Sequence, residues 1–205
     1  VYSFSFPVFY YGVVGLLDAP AIFLIIMGIY YTFKKQILPL AIIFIFGAMV
    51  NEKVILLLPF YFFFNYKENG LKKSLTYSLM LFIFFAITTF LVRKLTINSD
   101  STFLWEISFN SLIYNLGRVR TYISLILTGG IPIILLILSW RNIDFRSSYH
   151  YALIIGVALV FLMILYSLTA AYTDGRFMWY IYPFALPLGA MYIEKKLAKE
   201  ERLFT

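Results

Sequence analysis

Six side chains with chemical potential stand in very short polar interruptions between long apolar runs: Asp18, Asn51, Glu52, Lys53, Asp174 and Arg176. Arg118 and Arg120 end a longer connection, and Arg93-Lys94 closes another apolar run. A carboxylate can deprotonate a hydroxyl or hold a divalent cation. Arginine grips phosphate through two parallel hydrogen bonds, and lysine holds it as a point charge. Acids mixed with bases at one surface therefore suit a phosphate at the head of a lipid, with Asp18 and Glu52 as the candidates for a metal. Ionisable groups at a membrane edge are costly and point to function. Plainer uses stand beside each. Asp18, ahead of Ala19-Pro20, fits a helix cap. Glu52-Lys53 fits a loop ion pair, which contributes little. Asp174-Gly175 favours a turn, and Arg118 and Arg120 fit lipid headgroups. The lone His150 reads as an interfacial histidine. Phosphate-cradling glycine loops, a Gly-x-Ser-x-Gly elbow and a histidine pair are all absent from the sequence.

The elements that must position these groups are apolar helices. The 205 residues are 62% hydrophobic, 20% aromatic and 13% charged. Soluble domains run about 45–50% apolar and about 25% charged. The composition predicts an all-α, polytopic transmembrane bundle forming one domain over 1–205. With no cysteine, disulfides and thiolate metal sites are excluded. The net charge of +7 is spread over short loops and the tail. That pattern fits contact with membrane lipid rather than with nucleic acid.

The stretch 37–64 organises the rest. Two greasy runs flank Asn51-Glu52-Lys53. As one straight helix it would be ~42 Å long, against a hydrocarbon core of ~30 Å. A short-armed hairpin with a polar tip resolves the conflict. It also places eleven basic residues on one side: 34, 35, 67, 72, 73, 141, 146, 195, 196, 199 and 202. Six remain on the other side: 53, 93, 94, 118, 120 and 176. Basic loops prefer the cytoplasm, so the tip is expected outside and both termini inside. About eight membrane segments result: 1–17, 19–33, 37–50, 54–64, 76–92, 123–140, 150–170 and 178–193. The stretch 65–74 reads as an inner loop, and Gly129-Gly130 with Pro132 reads as a kink or break. Within the outer connection 95–122, Trp105, Phe109, Leu112, Leu116 and Val119 fall on one helical face. They predict an amphipathic interfacial helix with Asp100 or Ser101 as its cap. Val1 stands in mid-hydrophobic text, which leads to the expectation of an amino-terminally truncated chain.

The run LLDAPAIFLIIMGIYYTFKKQILPLAIIFIFGAMVNEKVILLLPFYFFF resembles the middle of GT-C-type integral membrane glycosyltransferases, such as protein mannosyltransferases and lipid A aminoarabinose transferases. The ending GRFMWYIYPFALPL is similar to their Arg-aromatic-Pro segment. The resemblance covers roughly 8–64 and 172–190. It implies transfer of a sugar from a polyprenyl-phosphate carrier to an acceptor on the outer face of the plasma membrane, as part of the cell envelope. It implies that Asp18 is the family's second acidic position and that Glu52 and Lys53 lie near the donor or a divalent cation. Arg176 would lie near the lipid phosphate. The family's main catalytic acid would lie upstream of Val1. Two rival expectations are a transporter or flippase for a lipid-linked or anionic solute, and a non-catalytic membrane subunit.

Overall fold

The computed structural model describes residues 18–96, 107–170 and 175–204. Segment 1–17, Trp105, the caps at Asp100 and Ser101, and Asp174 lie outside the described residues. Within the described residues the chain is helical and contains no strand. In order it forms α1 (Asp18–Phe33), α2 (Ile37–Val50), a 3-10 turn (Glu52–Leu56), α3 (Leu57–Thr96), α4 (Phe109–Gly117), α5 (Val119–Ser139), α6 (Ser148–Ala170), α7 (Arg176–Trp179) and α8 (Tyr182–Phe204). Stretches Glu52–Leu95, Val119–Asn142 and Ser148–Thr169 are long and apolar enough to cross a membrane. The bundle's outward faces are apolar as well: Phe46, Phe90, Ile126 and Leu162 are all more than half exposed. A surface of that kind belongs in lipid, and the chain has the build of a membrane protein.

Turns are made by specific residues. After α1, Lys35 takes the left-handed conformation (φ 57°). Gln36 N–H then reaches the Tyr31 carbonyl and Lys35 N–H the Thr32 carbonyl, each at 3.0 Å. This is a Schellman ending, with a lysine where glycine is usual. The expected break in 37–64 falls at Asn51, whose backbone is extended (φ −165°). Asn51 Oδ1 accepts the Lys53 N–H at 3.0 Å and so caps the 3-10 turn. The chain can fold back so tightly because Gly47 has no side chain. A Cβ there would lie 2.5 Å from Val54 Cγ1.

The stretch 65–74 is not the loop that its polar composition suggested. Helix continues through it, and only Gly70 (φ 77°, ψ 174°) departs. Asn, Lys and Glu continue a helix readily once it leaves the apolar layer. At Gly70 the chain doubles back: Ser74 Oγ donates to the Phe62 carbonyl at 2.6 Å, across positions that a straight helix would set ~18 Å apart. The break expected at Gly129-Gly130-Pro132 is absent; α5 is continuous from Val119 to Ser139, with Pro132 inside it. The interfacial helix is shorter than its stripe. It spans Phe109–Gly117 and ends at an extended Arg118, so Val119 belongs to α5. Its buried residue is Asn115, which donates to the Leu168 carbonyl at 2.9 Å.

Two polar clusters mark opposite ends of this bundle. One surrounds Asp18. In the other, Glu68 joins three segments: Lys35 Nζ lies 2.6 Å from Oε2, and Ser148 Oγ donates to Oε1 at 2.5 Å. The hydrogen bond to Glu68 raises the Lys35 ammonium above its ordinary value. Between the clusters lies an aromatic core, with Phe44, Phe60, Phe64, Trp179, Tyr180, Tyr182 and Phe184 fully buried.

Gly47→Val should overpack the α2–Val54 contact and lower stability by about 1–3 kcal/mol. Thermal unfolding in detergent reads this out, and Val54→Ala in the same chain should recover part of the loss. An unchanged Gly47→Val melting temperature would contradict the close approach.

Candidate functional site

The Asp18 cluster is assembled from three distant parts of the sequence. Asp18 opens α1 and is buried, at 5% exposure. Its Oδ1 accepts three side-chain donors: Tyr180 OH at 2.5 Å, Lys53 Nζ at 3.0 Å and Asn51 Nδ2 at 3.2 Å. No donor from the described residues reaches Oδ2. A buried carboxylate without partners is strongly unfavourable, and charged donors offset that cost best. Asn51 has two roles, since its Oδ1 holds the Lys53 N–H while its Nδ2 holds Asp18.

Lys53 completes the arrangement. Its ammonium sits 4.8 Å from the Tyr180 ring centroid and 4.9 Å from that of Phe177, an aromatic seat that favours a cation. The side chain is 24% exposed. One of its three N–H donors serves Asp18, and the others can reach a second anion. Tyr180 is placed by α7, which starts at Arg176 and is anchored through Gly175. A Cβ on Gly175 would meet the Ser124 carbonyl oxygen of α5 at 2.6 Å. Arg176, half-buried, therefore lies at the same end of the bundle.

Glu52 points away from this cluster. Its carboxylate pairs with Arg93, with both side chains about 60% exposed. Arg118 lays its guanidinium over the Tyr114 ring at 5.0 Å, and Arg120 is exposed in the first turn of α5. The structure thus joins Asp18, Asn51 and Lys53, sets Glu52 and Arg120 on the surrounding surface, and leaves Arg118 half-buried beside Tyr114. Among the described residues, no three His, Cys, Asp or Glu side chains gather as metal ligands would.

Tyr180 and Phe177 are the members that the sequence did not reveal. Both stand in an aromatic run at a helix end, where such residues ordinarily mark the membrane interface. Beyond Tyr180 an apolar groove of about 320 Å³ runs along α1 and α8. Ile26, Tyr182, Pro183, Leu186, Pro187 and Ala190 line it. Ile26 lies eight residues along α1 from Asp18, or ~12 Å deeper into the bundle. Comparison of the chain with protein-family models, curated proteins and solved structures returned no match.

Asp18 and Lys53 should prove energetically coupled. In a double-mutant cycle of Asp18→Asn and Lys53→Met, thermal unfolding should give a coupling of about 1–3 kcal/mol. Additive losses would mean that the pair contributes nothing as a pair.

Proposed function

We propose that the chain acts as a membrane glycosyltransferase, moving a sugar from a polyprenyl-phosphate carrier to an acceptor hydroxyl on the outer face of the plasma membrane. The observation that carries this reading is the meeting of Asp18, Asn51, Lys53 and Tyr180, with an apolar groove further along α1 and α8. A polar cluster and an apolar groove in one bundle suit a lipid phosphate and its chain. In this reading the Asp18 end faces outward, the Lys35–Glu68 end faces the cytoplasm, and the shorter apolar helices α1 and α2 join the longer ones within the bilayer.

The reaction is an inverting displacement. The acceptor oxygen bonds to the anomeric carbon on the face opposite the carrier. The bond from that carbon to the phosphate oxygen breaks, and its electron pair leaves with the polyprenyl phosphate. The acceptor proton passes to Asp18, whose Oδ2 takes it while Oδ1 stays held by its three donors. Lys53 and Arg176 balance the charge gathering on the departing phosphate. Glu52 and Arg93, with Arg118 and Arg120, form the rim that meets the acceptor. A transporter would need its polar group midway through the membrane. Of the two interrupted helices that would suit a transporter, 37–64 is broken at Asn51 and the Gly-Gly-Ile-Pro stretch is continuous helix.

Asp18→Asn should lower transfer by about 10²- to 10⁴-fold, measured on the full-length protein in vesicles with a polyprenyl-phosphate sugar. Arg176→Ala should raise KM for the carrier, and Glu52→Gln should have the smaller effect of a rim residue. Wild-type rates in both Asp18→Asn and Arg176→Ala would remove the assignment.

A further inference from the structure

The corner at Gly70 presents two cations to which the described residues offer no counter-charge. Lys72 and Lys73 are exposed in the first turn after Gly70, where the helix dipole disfavours positive charge. Among the described residues no acidic side chain pairs with either one. The neighbouring cations are already engaged: Lys35 pairs with Glu68, and Lys67 donates to the Phe145 carbonyl at 3.2 Å with its ammonium over the Tyr151 ring.

Below Lys72 runs an outward apolar column. Leu75, Leu79 and Ile83 follow at spacings of three, four and four, on one face of the helix. They are 57%, 55% and 47% exposed. The opposite face, Ser74, Ser78, Leu81 and Phe85, is buried against the bundle. A cation at the polar end of an exposed greasy column has the order of groups of an amphiphile turned to meet another one.

We propose that this corner binds an anionic phospholipid, with its phosphodiester against Lys72 and Lys73 and one acyl chain along Leu75, Leu79 and Ile83. A free phosphate would use the lysines and leave the column without a role. A lipid uses both and supplies the missing negative charge. The inference rests on the membrane reading of the fold and not on glycosyl transfer.

The test uses the full chain in nanodiscs of equimolar phosphatidylcholine and phosphatidylglycerol, with no sugar donor present. Mass spectrometry of the lipid retained after re-purification gives the enrichment. Lys72→Gln should lower phosphatidylglycerol enrichment about fivefold, with helix content unchanged by circular dichroism. Lys94→Gln makes the same charge change at the far end of this helix and should leave enrichment at the wild-type value. Equal enrichment in wild type, Lys72→Gln and the Lys72→Gln/Lys73→Gln chain would overturn the proposal. So would displacement of the retained lipid by excess inorganic phosphate.

Discussion

A carboxylate buried in an apolar bundle dictates much of this structure. Asp18 lies at 5% exposure, and such burial is tolerated only because donors come to it. One donor is a lysine held between two aromatic rings, another an asparagine that also caps a turn, the third a tyrosine 162 positions away. Meeting that requirement forces the chain to break at Asn51, so that Lys53 turns inward and Glu52 outward. It also requires α7 to bring Tyr180 against α1. The local and distant parts of the fold are thus bound to one charge.

The far end of the bundle follows the same rule with less burial. Glu68 gathers Lys35 and Ser148 from separate turns, and exposure keeps each contact modest. Between the two ends the packing is aromatic and close. Inside a membrane the apolar effect gives little drive for helices to associate, so contact must come from shape and small residues. Gly47 against Val54 is one such place.

Much of this was readable before any coordinates. The apolar runs marked the helices, and the misfit between 37–64 and a bilayer located the break at Asn51. Asp18, Asn51 and Lys53 stood out because each interrupts greasy sequence. Tyr180 did not, because tyrosine near a helix end has an ordinary use and its partner is remote in sequence. Residues 65–74 read as a loop because they are polar, basic and contain a glycine; helix continues there, and that single glycine makes the corner. Pro132 misled in the opposite direction: the helix runs on through it without a break.

The proposed activity requires the two polar ends to lie on opposite sides of a membrane, with the Asp18 end outside. The sequence contains no cysteine, so single-cysteine labelling in intact cells measures this without background. Glu52→Cys should react with a membrane-impermeant maleimide from outside, and Lys72→Cys should react only after permeabilisation. Labelling of both from the same side, or of Lys72→Cys alone in intact cells, would contradict the account.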